Sequence, residues 1–275
     1  MLKNPKIVIV STLFAFTLFT IAALFQQNLK IVGISWIAFA AMAFAIPIGI
    51  KSADQKNFNQ LIAGYGLSSG AMITSAAIFL VPTAINHHPI YGGLGIAAGV
   101  ISGFAIHTLN HGLTHTKSSL EPVVIELTSH ALAAGVIIGT VYAAMPELGL
   151  LLGLAIVSHK APAGYAAARR LSIKDISTAW ILLPASAVGI TALPISLLTI
   201  PENAIVNALI FGFATGVFFH VAMDFLPECE VGGTIHKESD LNHNEHHILD
   251  QYRQWAVLNT FIGGLIVFLA WYLIY

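Results

Sequence analysis

Apolar residues occur along this chain in long runs, not in the short patterns that soluble folds use. Each run is long enough to cross about 30 Å of hydrocarbon as a helix. None shows the alternation that marks a membrane β-strand, so the pattern predicts an all-α, polytopic membrane helix bundle. The predicted spans cover residues 7–26, 31–50, 61–85, 91–109, 123–145, 147–168, 176–200, 204–226 and 255–275.

The composition excludes most soluble classes of protein. Of the 275 residues, 56% are hydrophobic and 9% are charged, whereas soluble domains carry about 25% charged residues. The 12 basic and 13 acidic residues balance, which argues against a nucleic-acid partner. The single cysteine, Cys229, excludes a disulfide scaffold and a CxxC site. The partner that the composition predicts is the lipid bilayer.

The first apolar run raises the question of a signal peptide, since Lys3 and Lys6 precede it. The run is longer than the usual signal core of about 7–15 residues, and no clean Ala-x-Ala site follows it. We therefore expect residues 1–30 to form a retained, extra N-terminal transmembrane helix, ahead of one domain at residues 31–275. Cleavage would leave eight spans and an intact remainder.

Basic residues predict the orientation of the spans. With the N-terminus in the cytoplasm, ten basic residues fall inside, Lys30 falls outside, and Lys160 lies within a span. We therefore expect a multi-pass protein of the cell membrane whose C-terminus is outside. The long polar segment at residues 229–254 is then a histidine-rich cytoplasmic loop.

Ionisable side chains inside the spans are candidate functional residues, because each is costly in hydrocarbon. His130 and His159 lie near mid-depth of two successive spans, each in a His-x-x-x-Ala-Gly segment. A tight turn at Pro146 would bring these helices together with their imidazoles at matching depth. Imidazole binds zinc and similar divalent metals, and two ligands make a weak site that releases its ion. The alternative is that each imidazole only bonds a neighbouring carbonyl group.

Other polar residues extend this hypothesis to both sides of the membrane. Glu126 lies one turn before His130 and shares its helix face. Lys160 either sets the local charge, snorkels or pairs with a carboxylate. The loop histidines are interpreted either as metal-capturing groups or as solubilising residues. The predicted pathway residues are Glu126, Lys160, His220, Asp224 and Glu228, and the predicted metal-capturing histidines are His87, His88, His107, His111 and His115.

Four segments resemble, in order, motifs of the ZIP (Zrt/Irt-like) family of divalent metal transporters. They are residues 66–82, 130–135, 158–163 and 214–228. The third, Ser-His-Lys-Ala-Pro-Ala, is similar to the branch whose second motif reads His-Lys-Ala-Pro-Ala. The resemblance covers about residues 31–275 and implies an eight-helix core arranged as a 3+2+3 inverted repeat, to which the first span is added. Gly70 and Gly216, in comparable segments of oppositely directed helices, give this repeat some support.

The departures from the family pattern concern the metal ligands. Ala134 and Ala163 stand where family members carry bridging glutamates, and residues 81–83 lack an outer carboxylate. Lys160 places positive charge where a second cation would bind. The repulsion is about 4 kcal/mol for unit charges about 4 Å apart at an effective dielectric constant of about 20. We expect at most one weakly held metal, with its shell completed by water, Glu126 or anions.

Three functions follow, in order of preference. The first is a carrier that moves a divalent cation, zinc first, toward the cytoplasm by alternating access; the metal is then substrate and no cofactor is needed. The second is a transport-poor metal-binding or sensing protein of the same kind. The third is an intramembrane hydrolase, since residues 66–70 fit Gly-x-Ser-x-Gly. That motif acts at a strand-to-helix turn, so we predict no enzymatic activity. A homodimer is left open.

Overall fold

The computed structural model describes residues 5–53, 59–114, 121–145, 153, 158–200, 203–231 and 246–274. Within these ranges every regular element is a helix. The α-helices are α1 (Pro5–Phe25), α2 (Leu29–Lys51), α3 (Asn59–Ser75), α4 (Val81–His87), α5 (Pro89–Thr114), α6 (Pro122–Ala144), α7 (Lys160–Ile173), α8 (Leu182–Ile195), α9 (Ala204–Val231) and α10 (His246–Ile274).

Seven stretches of the described chain are long and apolar enough to cross a membrane. They are Lys6–Phe25, Leu29–Lys51, Asn59–His87, Pro122–Ala144, Thr178–Ile195, Ala204–Asp224 and Asp250–Leu273. A shorter apolar stretch, Pro89–Ala105, lies in α5. The predicted all-α class is confirmed, and these helices fit a multi-pass membrane bundle. The predicted sixth span, residues 147–168, is described only at residue 153 and from residue 158 onward.

Three local features differ from a plain succession of spans. The third span contains a π-helical turn at Ala76–Leu80, between α3 and α4. Pro82 follows this turn, and because proline has no N–H it cannot continue an α-helical ladder. The predicted loop at residues 229–254 is helical at both ends, since α9 reaches Val231 and α10 begins at His246. Helix α5 continues past Leu109 to Thr114.

The helices pack as two groups. One group, here called the glycine bundle, consists of α3, α4, α5, α9 and α10; its strongest pairings are α5 with α9 and α3 with α10. The other, the histidine bundle, consists of α1, α2, α6, α7 and α8; its strongest pairings are α6 with α8 and α2 with α7. Close backbone approaches between the two bundles are few, and an apolar core that includes Ala131 and Phe218 joins them.

Glycines set the close packing of the glycine bundle. A Cβ atom at Gly70 would overlap the Thr260 carbonyl group of α10, and one at Gly216 would overlap the Ile96 carbonyl group of α5. Small residues let membrane helices approach until their backbones touch. In lipid no hydrophobic effect drives helices together, so van der Waals contact between close backbones stabilises the pair instead. The Gly-x-Ser-x-Gly segment belongs to this interface, where the buried Ser69 hydroxyl donates to the Ala222 carbonyl oxygen at 2.8 Å.

The first helix, α1, is part of the histidine bundle. Phe16 of α1 is buried, and its ring fills the space that a Cβ atom at Gly189 of α8 would need. The same ring lies 4.8 Å from the Trp36 ring and 5.6 Å from the Phe39 ring of α2, centroid to centroid. Trp36 Nε1 donates to Thr20 Oγ1 at 3.2 Å. Helix α1 therefore packs against both α2 and α8 through one aromatic cluster.

Candidate metal site

The structure brings two imidazole rings together inside the histidine bundle. The Nε2 atoms of His130 and His159 lie 3.4 Å apart, with ring centroids at 5.5 Å and planes inclined by 71°. His130 occupies the middle of α6, and His159 lies directly before α7 with 1% of its surface exposed. This separation is longer than the donor–acceptor distance of about 2.7–3.2 Å in a typical N–H···O hydrogen bond.

This separation suits two ligands of one metal ion. Zinc–imidazole bonds are about 2.0–2.1 Å long, so two nitrogens at a tetrahedral angle of about 109° lie about 3.3–3.4 Å apart. The 3.4 Å between the two Nε2 atoms matches that span. The described residues thus supply two imidazole nitrogens at the separation that two ligands of one zinc ion have.

Helix packing holds both histidines in place. A Cβ atom at Gly135, five residues after His130, would overlap the Val188 carbonyl group of α8. A Cβ atom at Gly164, five residues after His159, would overlap the backbone of Met42 in α2. Slightly more than one helical turn after each histidine, a glycine brings the helix into contact with the backbone of a neighbouring helix. This is the physical role of the glycine that ends each His-x-x-x-Ala-Gly segment.

A proline and a threonine add to this arrangement. Pro162 lies in the first turn of α7 and cannot donate to a carbonyl group four residues earlier, which explains why the helix begins at Lys160. Thr191 Oγ1 of α8 donates to the Leu132 carbonyl oxygen of α6 at 2.9 Å. Thr191 was missed in the sequence, because a hydroxyl group in an apolar helix gives no sign of its partner.

Lys160 is buried beside the pair, with 2% of its surface exposed. Both Lys160 and His220 lie close enough to His130 to act on it electrostatically. Among the residues that the structure describes, no acidic side chain forms an ion pair with Lys160. A buried charge is costly unless an opposite charge meets it. A positive charge on Lys160 would therefore need an opposite charge that the described side chains do not supply.

His220 belongs to the glycine bundle and faces the site from α9. Its Nε2 atom lies 3.0 Å from Asp224 Oδ2, one turn further along the helix. His220 is buried, whereas the Asp224 side chain is 37% exposed. The Phe104 ring of α5 stands edge-on at 4.4 Å, and a Cβ atom at Gly103 would overlap the imidazole. Two adjacent α5 residues thus fix the position of His220.

The remaining predicted residues lie apart from the pair or cannot be described. Glu126 is exposed on α6, and within the described ranges no group of three or more His, Cys, Asp or Glu residues is placed to hold a metal ion. The described residues therefore offer no third histidine, cysteine or carboxylate ligand beside the pair, and Glu126 is not placed as one. The Glu228 side chain is not described.

Four of the five histidines that are predicted to capture metal lie within the described residues, at the end of α4, directly after it and in α5. The His87 ring stacks on Phe211 at 5.9 Å, and the His88 ring stands edge-on to Tyr91 at 4.7 Å. His107 and His111 lie in α5, but their side chains are not described, and His115 lies outside the described residues. Their capture of metal stays a prediction.

No protein-family model matches this chain, and no curated protein sequence matches it.

Proposed function

We propose that this protein is a carrier that moves a divalent cation, zinc most readily, across the membrane toward the cytoplasm as a divergent relative of the ZIP family. The observation that supports it most is the 3.4 Å separation of the His130 and His159 Nε2 atoms. Two imidazoles at that distance bind one tetrahedral zinc ion, and imidazole favours zinc over magnesium and calcium, which prefer oxygen ligands.

The site would hold one ion, and weakly. Two protein ligands leave two of zinc's four positions to water or another small ligand. A second cation would meet the Lys160 ammonium group, at a cost of about 4 kcal/mol for unit charges about 4 Å apart. Weak binding suits a carrier, because an ion that is held tightly is released slowly.

Alternating access would come from a movement of the histidine bundle against the glycine bundle. The two bundles meet through apolar side chains with few close backbone approaches, and an apolar interface has no directional bonds that resist sliding. His130 and His159 belong to one bundle and His220 and Asp224 to the other. A displacement would therefore change which side of the membrane reaches the imidazole pair.

The helix pairings support the inverted repeat. Exchanging α2 with α8, α3 with α9, α5 with α10 and α6 with α7 converts the α5–α9 pair into α10–α3 and the α6–α8 pair into α7–α2; all four are the strongest pairings observed. The same exchange relates Gly70 to Gly216 and Gly135 to Gly164, each at a close helix approach. It also relates His130 to His159, so the axis of the proposed repeat passes between the two imidazoles.

The test is uptake of radioactive zinc into proteoliposomes that contain the purified chain. We expect uptake by the native protein and its loss in the double variant His130→Ala/His159→Ala. Ser129→Ala is the matched control, because it alters the residue next to His130 and leaves both imidazoles in place. Each variant must elute as a single species in size-exclusion chromatography. Equal uptake by the native protein and the double variant would overturn the proposal.

A second function, metal binding or sensing without transport, is favoured by one observation: the described residues provide only two ligands beside a buried lysine. Metal counterflow separates the two functions. A carrier exchanges internal zinc for external radioactive zinc, whereas a sensor binds zinc saturably and shows no exchange.

A further inference from the structure

A buried lysine, Lys160, lies beside the imidazole pair. Lys160 is 2% exposed, follows His159 in the chain and acts electrostatically on His130. Asp224, an acidic side chain of α9, lies 3.0 Å from His220 Nε2. In the described part of the chain, no carboxylate pairs with Lys160. A charged Lys160 therefore needs a counter-charge that the described side chains do not provide.

The surroundings of Lys160 favour an anion. Lys160 is the first residue of α7, a 14-residue helix, and the N-terminal end of a helix carries partial positive charge. Ala134 and Ala163 lie four residues after His130 and His159, so each shares a helix face with its histidine. Both alanines are buried. Methyl groups thus occupy the positions from which a carboxylate would reach the metal.

A bound metal ion would also require a negatively charged ligand. With two imidazole ligands, a zinc ion keeps two open positions and a full double charge. One small anion placed between the metal and the Lys160 ammonium group would fill a coordination position and neutralise the lysine at the same time.

We propose that this site binds its metal together with one small monovalent anion, which bridges the metal ion and Lys160. The ligand class is a small carboxylate or halide. This inference rests on the proposed function, because it takes the His130–His159 pair to be the metal site. It assigns Lys160 the role of an anion-binding residue that makes metal affinity depend on the anion present.

The experiment measures cobalt binding to the full-length chain in detergent, through the visible absorption of tetrahedral cobalt. Ionic strength and pH are held constant with sodium methanesulfonate, whose anion is bulky and coordinates weakly, or with sodium formate or sodium bromide. Free cobalt is corrected for binding by each anion. We expect formate or bromide to lower the Kd for cobalt about tenfold, a difference of about 1.4 kcal/mol.

Two substitutions test the assignment to Lys160. Lys160→Met keeps the length of the side chain and removes its charge, so the anion response should be lost whatever the affinity in methanesulfonate. Lys160→Arg keeps a cation and should keep most of the response. X-ray absorption of the zinc-loaded native protein in bromide should show one heavy scatterer in the first coordination shell, which Lys160→Met removes.

The outcomes separate this inference from the proposed function. Cobalt binding that depends on His130 and His159 but not on the anion would overturn the inference alone. Retention of the full anion response in Lys160→Met, with a bromide ligand still on the zinc, would also overturn it. Absence of any cobalt binding that depends on the two histidines would instead overturn the proposed metal site itself.

Discussion

Both bundles contain close helix contacts at glycine, but the histidine bundle combines them with larger buried side chains. In the glycine bundle, Gly70 and Gly216 allow backbone to touch backbone, and the helices meet along continuous small-residue surfaces. In the histidine bundle, Gly135 and Gly164 make similar backbone contacts, Phe16 of α1 in addition fills a space beside Gly189, and Thr191 bonds the backbone of α6. Larger side chains at these glycines would therefore force the helices of the glycine bundle apart. The histidine bundle combines larger side chains with the buried ionisable residues His159, Lys160 and Arg169, and a buried ionisable residue marks where a function is expected in a membrane protein.

The largest effect should come from adding bulk to the glycine bundle. Gly70→Val would force a side chain into the Thr260 backbone, which cannot move aside without separating α3 from α10. Overpacking of this kind costs about 1–3 kcal/mol or more. We expect loss of the monodisperse protein in size-exclusion chromatography. Gly93→Val is the matched control, because nothing lies within 4 Å of a Cβ atom there; similar losses in both would show that the close approach is unimportant.

A cavity in the histidine bundle should have the next largest effect. Phe16→Ala removes a ring that is 1% exposed, and comparable substitutions in protein cores cost about 3–5 kcal/mol when the structure cannot collapse. We expect a lower midpoint of thermal unfolding in detergent. Phe14→Ala, on the same helix at 70% exposure, should change the midpoint little. Equal unfolding midpoints for Phe16→Ala and Phe14→Ala would show that the packing of α1 does not stabilise the histidine bundle.

Where the bundles meet, a small change should alter function more than stability. Gly103→Ala would push a methyl group into the His220 imidazole and shift it away from Asp224. We expect zinc uptake in proteoliposomes to fall severalfold, while the unfolding midpoint stays close to that of the native protein. Gly93→Ala in the same helix serves as the control. Normal uptake by Gly103→Ala would remove His220 from the proposed pathway.

Ion pairs at the bundle ends should matter least. Glu121 pairs with Lys174 and, at 3.9 Å, with Arg170, all in the histidine bundle. Glu121→Gln should cost about 1 kcal/mol or less, because exposed partners are screened by solvent. Asp250→Asn breaks the exposed pair with Arg253 in the glycine bundle and should cost less still. Chemical denaturation in detergent measures both; a larger loss for Asp250→Asn would reverse the order.

Much of the fold follows from local sequence. The length and polarity of each apolar run predicted a helix, and the all-α class is confirmed because these properties do not depend on what a helix packs against. The exact ends were less predictable. Helix α10 begins at His246, within a segment that was predicted as a loop. Charged residues occur both in loops and in exposed helical turns, so the polarity of this segment did not distinguish the two. The π-helical turn at Ala76–Leu80 was not predicted either. Pro82 indicates that the α-helical hydrogen bonding is interrupted, but it does not indicate which local structure results.

The candidate site divides in the same way. The repeated His-x-x-x-Ala-Gly segments singled out His130 and His159 by sequence alone, because an imidazole in an apolar run stands out wherever it occurs. Their 3.4 Å separation, the burial of Lys160 and the position of His220 against Phe104 depend on how remote helices cross. Helix formation is decided within a few turns of chain, whereas a distance between side chains is decided by packing. Here that packing rests on contacts such as Thr191 to Leu132, between residues far apart in the sequence.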